Sequence, residues 1–194
     1  MNRSIGTNIK LESLLRPETE LERRLLATPE FQEGMLWGKP RFGHPEGKVA
    51  FHVAEVLENI NKLQLIKADR ELLRLIAYVH DTFKYQEDAF AHPRKWEQNH
   101  ARIAREFIQD YTNDPFILNL IEFHDSAYFA WRNIFLYQET EKGFERIEQL
   151  RSFFKDRFQL FYLFFKCDTR TGDKNQAPLK WFEAAFCEIE KVTF

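Results

Sequence analysis

The sequence predicts an all-α protein, and three observations carry that prediction. All but two of the seven glycines lie before residue 48, and none occurs from Lys48 to Lys142. A long stretch without glycine favours helices over a turn-dense β fold. Twenty phenylalanines supply bulky side chains to fill the space between such helices. Apolar residues recur at helical spacing, and no alternating pattern runs longer than a few residues. With 194 residues, 44% of them hydrophobic and 30% charged, the chain reads as one globular domain over 1–194. Its expected parts are an N-terminal helical segment (1–36), a core (43–173) and a C-terminal helix (177–194).

Glu18 to Ala27 and Pro29 to Met35 read as short helices, with Thr28 as N-cap and Pro29 in the first helical position. Residues 37–47 hold three glycines and two prolines and are the strongest loop signal in the chain. Val49, Val53, Val56, Ile60 and Leu63 then form one apolar stripe, and Leu72, Ile76, Val79 and Phe83 a second, whose helix Asp69 would cap. Residues 86–96 are polar, are broken by Pro93, and read as a connection. A third helix follows around His100, Ile103, Phe107 and Tyr111. Asp114-Pro115 opens a fourth with Ile117, Leu120, Ile121 and His124 on one side. Phe154, Phe158, Phe161 and Phe165 mark one long helix, residues 169–176 a polar loop, and Pro178 the start of a final amphipathic helix.

Charge and cysteine usage narrow the function. Net charge is −2 and the basic residues are dispersed, so no long nucleic acid is expected as a partner. No apolar run approaches the 18 residues or so that span a bilayer, the N-terminus lacks a signal-like apolar region, and no membrane partner is expected. Cys167 and Cys187 form no metal or disulfide spacing and fit a reducing, cytoplasmic setting.

The histidines are informative by position. His52, His80, His100 and His124 each project from an apolar stripe, and so does Asp168, three to seven residues after Phe161, Phe164 and Phe165. Taken singly, a histidine on an apolar face is more often a hydrogen-bonded core residue than a ligand. A carboxylate on an inward face must be paired, protonated or bound to a cation, and Asp81 adds a second. No lysine or arginine occupies a neighbouring inward position that would neutralise both. A divalent cation would satisfy the set, since imidazole and carboxylate are its ordinary ligands.

The order His52, His80-Asp81, Asp168 resembles the H…HD…D signature of the HD-domain metal-dependent phosphohydrolases, over about residues 43–173. The resemblance implies an all-α HD-domain helical bundle in which His52, His80, Asp81 and Asp168 hold a divalent metal. It also implies that His100 and His124, with Asp125 beside them, serve a second one. His80-Asp81-Thr82-Phe83-Lys84 matches the HDxxK form, and residues 43–48 are similar to the start of the HD domain of bacterial tRNA nucleotidyltransferases. Guanosine tetraphosphate hydrolases usually carry an acidic pair where Lys84-Tyr85 stand. HD-GYP phosphodiesterases carry two histidines where this chain has His124-Asp125.

The function so implied is hydrolysis of a small phosphoester, a nucleotide or cyclic nucleotide, by metal-activated water. Asp81 and Lys84 are the expected catalytic residues, Lys84 by neutralising a phosphate oxygen. The cofactor is a divalent transition metal (Mn, Fe, Co, Ni or Zn), one or two per chain. Arg94, Lys95, Arg170 and Lys174 are candidate contacts to a phosphorylated substrate. Glu55 could orient the water, although an exposed role is the plainer expectation. His44 is expected to order its loop at the surface. Two alternatives remain: a di-iron oxygenase on the same fold, and a metal- or nucleotide-binding regulatory module without turnover.

Overall fold

A computed structural model describes residues 9–93 and 95–194. Arg94, one of the expected substrate contacts, lies outside the described residues, as do the first eight residues of the N-terminal segment. Among the described residues twelve α-helices follow one another: α1 Leu11–Leu15, α2 Glu20–Leu26, α3 Pro29–Leu36, α4 Val49–Asn61, α5 Lys67–Val79, α6 Lys84–Ala89, α7 His100–Ile108, α8 Pro115–Phe123, α9 Ser126–Phe135, α10 Thr140–Phe154, α11 Phe158–Thr169 and α12 Ala177–Ala185. Among the described residues there is no β-strand, so the all-α expectation holds. None of these helices is long and apolar enough to cross a membrane.

The centre of the bundle is α4 and α5 packed together, with α11 against both. Val53, Val56 and Ile60 of α4 and Ile76 and Val79 of α5 are fully buried, as the two apolar stripes require. Leu72 of the second stripe is only half-buried, and its neighbour Leu73 takes the core position. α8 packs on α5 and α7, and α9 lies along α10. The phenylalanines concentrate at one end. Phe154, Phe158, Phe161, Phe182 and Phe186 stack with centroid separations of 4.4 to 6.1 Å and join α10, α11 and α12. Such rings bury large areas and pack with defined geometry, so they hold the C-terminal helices to the bundle.

Several boundaries differ from the apolar pattern for identifiable reasons. The single long helix expected through Phe154 and Phe165 is two. Lys155 adopts φ 41°, a short 3-10 turn covers Lys155–Arg157, and Phe154 and Phe158 stay buried on either side. The polar triplet absorbs the break while the phenylalanine stripe remains on the core. Residues 126–135, which the pattern leaves unassigned, form α9, and α6 occupies part of the expected 86–96 connection. Asp69 is not a cap. α5 begins two residues earlier after Ile66, and Asp69 falls in its first turn, where a negative charge favours the helix dipole. Thr28 precedes Pro29 as expected but donates back to the Arg24 carbonyl rather than capping. The C-terminal helix ends at Ala185, and the remaining residues run as a tail.

Two ion pairs fasten the ends, the first fully buried and the second half-buried. Arg74 of α5 donates to Glu22 of α2 from Nε (2.9 Å) and Nη2 (3.1 Å), and both side chains are buried. Lys166 of α11 donates to the Val192 carbonyl at 2.6 Å and to the Glu183 carboxylate, which also accepts from the Tyr162 hydroxyl at 2.7 Å. Burial alone would raise the Glu183 pKa, but the Lys166 ammonium and Tyr162 hydroxyl win and hold it below its ordinary value. A depressed folded-state pKa contributes stability above the unfolded value and loses it as the pH falls through the folded one. The urea midpoint of wild type should therefore exceed that of Glu183→Gln at about pH 6, and the gap should close towards about pH 3. A gap that stays constant would remove the carboxylate from the account.

Candidate metal centre

The expected ligands arrive at one point from five helices. His52 sits on α4. His80 caps the C-terminal end of α5 and Asp81 follows it, on a turn secured by Thr82 Oγ1 donating to the Tyr78 carbonyl at 2.7 Å. This turn lies directly against α3 at Gly34, where an added Cβ would stand 1.9 Å from the Thr82 carbonyl oxygen. His100 opens α7 behind Asn99, whose side chain accepts from the Ala101 N–H at 2.9 Å. His124 caps the end of α8, and Asp168 lies in the last turn of α11.

Asp81 is the pivot. Its Oδ2 lies 3.4 Å from His52 Nε2 and 3.6 Å from His80 Nε2, and Asp168 Oδ1 lies 2.9 and 3.5 Å from the same two nitrogens. Its Oδ1 lies 3.4 Å from His100 Nε2 and 3.5 Å from His124 Nε2. Asp125 Oδ2 stands 3.8 Å from His100 Nε2 and 3.5 Å from His124 Nε2. The structure thus separates two groups, one on each oxygen of a single buried carboxylate. Each contains a set of side chains whose donor atoms lie within 4.8 Å of one another.

The hydrogen bonds around the rings state what these groups face. His80 Nδ1 donates to the Ala77 carbonyl (3.0 Å) and His124 Nδ1 to the Ile121 carbonyl (2.8 Å). His100 Nδ1 donates to the Glu87 carboxylate. Thr171 Oγ1 spends its proton on the Asp168 carbonyl (2.7 Å) and so accepts from His52 Nδ1 (3.2 Å). Each ring therefore turns its Nε2 toward carboxylate oxygens, and wherever the ring is neutral a lone pair meets a lone pair, acceptor against acceptor. Asp81 Oδ1 and His100 Nε2 are buried with no hydrogen-bond partner. A divalent cation between them would satisfy every one of these atoms, and the Nδ1 acceptors are the outer partners that orient imidazole ligands. The residues fit a metal.

One expectation needs correction. Cations do occupy inward positions: Lys84 donates to Asp81 Oδ2, and Lys174 donates to Asp168 Oδ1 at 2.9 Å. Lys84 opens α6 three residues after Asp81, and Lys174 lies in the loop after α11, so both reach back over the ligands. The charges that result are uneven. Burial favours the neutral form of Asp81 and Asp168, but Lys84 and Lys174 lead the opposing contributions and hold both well below the carboxylate range. Burial, reinforced by the Lys174 ammonium, lowers His52 to about 4. Burial works the same way on His124, where Asp125 and Asp81 outweigh it and raise the ring to about 9.

Of the other expected residues, Lys174 lines the cleft over Asp81, Asp125 and Asp168. Lys95 is exposed beside a 3-10 turn and is not among the residues that line the cleft. Arg170 is not brought to it either: it donates to the Phe194 carbonyl at 3.0 Å and lies over that ring. Glu55 accepts from the Gly172 N–H at 2.7 Å and clamps the loop after α11. His44, expected at the surface, instead lines the cleft. Its Nδ1 bonds Glu46 Oε1 at 2.9 Å, and its ring meets that of His52 edge-on at 5.6 Å. Glu46 and Thr171, on either side of His52 Nδ1, have no signal in the sequence pattern, because loop residues follow no periodicity.

Residues 47–141 match the family model described as HD domain. The matched stretch carries His52, His80, Asp81, Lys84, His100, His124 and Asp125 and ends before Asp168, which the fold returns to the same point. No curated protein and no solved structure matches the chain. Residues 47–141 of this chain are thus an HD domain, set in an all-α bundle that gathers histidine and aspartate residues into one centre.

Proposed function

We propose that this chain is a metal-dependent phosphohydrolase that cleaves a small phosphoester, a nucleotide or cyclic nucleotide. The observation that carries the proposal is the single buried carboxylate of Asp81, with histidine lone pairs aimed at both of its oxygens and a lysine at its open side. His52, His80, Asp81 and Asp168 would hold one divalent ion, and Asp81, His100, His124 and Asp125 a second. Such an ion supplies Lewis acidity toward a phosphoryl oxygen and lowers the pKa of a water. The chain's own residues do the rest. Lys84, at the junction of the spaces that open over Asp81 and His100, carries the positive charge that a non-bridging phosphate oxygen meets. Lys174 offers a second such charge on the other wall. Tyr128, Phe165 and Pro178 exclude water beside the carboxylates in a cavity of about 340 Å³.

The test is release of phosphate or a phosphomonoester from a phosphoester panel by protein loaded in turn with Mn, Fe, Co, Ni and Zn. Lys84→Gln should lower kcat/KM by about 10²-fold, the usual loss for one preorganised charge, while leaving the metal count per chain unchanged. No turnover with any ion on any ester would sink the reading.

The convergence of His100, His124 and Asp125 on the second oxygen of Asp81 favours one other reading, an oxygenase with two irons. Two iron atoms per chain together with oxygen consumption on an organophosphonate or polyol would establish it in place of the hydrolase.

A further inference from the structure

The space over His100 is larger than the space over the carboxylates, about 850 Å³ against about 340 Å³, and the Trp37–Lys48 segment builds one wall of it. That segment is a closed tongue. Gly38 and Gly47 have φ of 110° and 80°, values that favour glycine. A Cβ on Gly38 would stand 2.3 Å from the Gly47 carbonyl oxygen, and one on Gly47 would stand 2.7 Å from Pro40 Cδ. Arg41 and His44 exchange backbone hydrogen bonds of 3.1 and 2.9 Å, and the Val49 N–H donates to the Trp37 carbonyl at 3.0 Å. The result is a short element pinned at its base and near its tip, with His44 beside His52 on one side.

Lys39 and Arg41 occupy the other side. Both line the larger space with Lys48 and Lys84, and neither makes a side-chain hydrogen bond or ion pair with a described residue. Lys48 is turned to the Leu36 carbonyl at 2.6 Å, and Lys84 to Asp81. The acidic groups of the same wall are Glu87, which accepts from His100, and Asp88. Among the described residues, Lys39 and Arg41 are thus the cations of this space left without a hydrogen-bond or ion-pair partner. Both are exposed, and the tight backbone of the tongue fixes where their side chains leave it, so that an anion in this space meets two charges from a set position.

Resting on the hydrolase reading, we propose that the Gly38–Gly47 tongue is a second anion subsite: Lys39 and Arg41 bind a further phosphate of an oligophosphate chain whose scissile phosphate lies at Asp81. A simple monoester would leave this side of the cleft empty. Arg41 presents the planar fork that suits paired phosphate oxygens, and Lys39 a point charge beside it.

Calorimetric titration of inorganic tripolyphosphate and orthophosphate into chelator-treated full-length protein tests this directly, because tripolyphosphate cannot then act by stripping metal. Wild type should bind tripolyphosphate at least about tenfold more tightly than orthophosphate. The double variant Lys39→Gln/Arg41→Gln should lose that preference while its helical circular dichroism and its metal count after reloading stay as in wild type. The exposed double variant Lys180→Gln/Lys191→Gln, of equal net charge, should keep the preference. Equal affinity of wild type for the two anions, unchanged tripolyphosphate binding in the tongue variant, or equal losses in both variants would each overturn the subsite. Failure of every phosphoester to turn over would instead overturn the hydrolase reading and leave the binding result standing.

Discussion

Asp81→Asn is expected to empty both halves of the centre at once. Asp81 contributes one oxygen to His52 and His80 and the other to His100 and His124, so no other side chain is shared by the two groups. The amide keeps the shape but supplies one neutral oxygen in place of two anionic ones. Metal per chain after gel filtration should fall to near zero, and kcat/KM should drop by at least about 10³-fold, or about 4 kcal/mol of transition-state stabilisation. Variants on either side should divide the loss: Asp168→Asn removes a ligand of the first group only, and His124→Gln a ligand of the second only. Elemental analysis of the three proteins is the measurement. If Asp81→Asn retained its full metal content, a centre built around this carboxylate would be wrong.

Arg74→Ala is expected to have the largest effect on stability. It removes the only cation hydrogen-bonded to Glu22 among the described residues, and it also removes bonds to the Arg16 carbonyl (3.1 Å) and the Glu18 carboxylate (3.1 Å). Glu22 would be left buried and charged, a defect worth about 3–5 kcal/mol. For a chain of this length that lowers Tm by about 10 °C. The double change Arg74→Met/Glu22→Leu should recover most of the loss, because an apolar pair needs no charge partner. Urea unfolding of both variants decides it. An Arg74→Ala midpoint within about 0.5 kcal/mol of wild type would show the pair to be dispensable.

Much of the fold was legible because helices leave a periodic trace. Val53, Val56 and Ile60, and Ile76 and Val79, mark buried faces that the packing of α4 on α5 needs. The trace fails where helices join. The 3-10 turn at Lys155 leaves Phe154 and Phe158 in register, so the pattern cannot distinguish one helix from two. Asp69 shows the limit of reading caps from residue type: a carboxylate at a helix start serves equally well one turn inside it.

The centre was legible for the same reason as the core. His52, His100, His124 and Asp168 hold positions on apolar faces, and a polar group there must meet a partner, so local sequence requires that they converge on something. What they converge on is a matter of three dimensions. That Asp81 shares its two oxygens between separate histidine groups depends on the relative placement of α4, α7, α8 and α11. That Lys174 bends back over Asp168, while Arg170 turns to the tail, depends on loop geometry that no spacing encodes. Lys84 instead reaches Asp81 across three residues, as its spacing implies. The tongue of residues 38–47 announced itself only as a loop. Its closure by two positive-φ glycines is what sets His44 against His52 and leaves Lys39 and Arg41 facing the cleft. Periodicity records which side of a helix is buried, and long-range packing alone determines which buried groups meet.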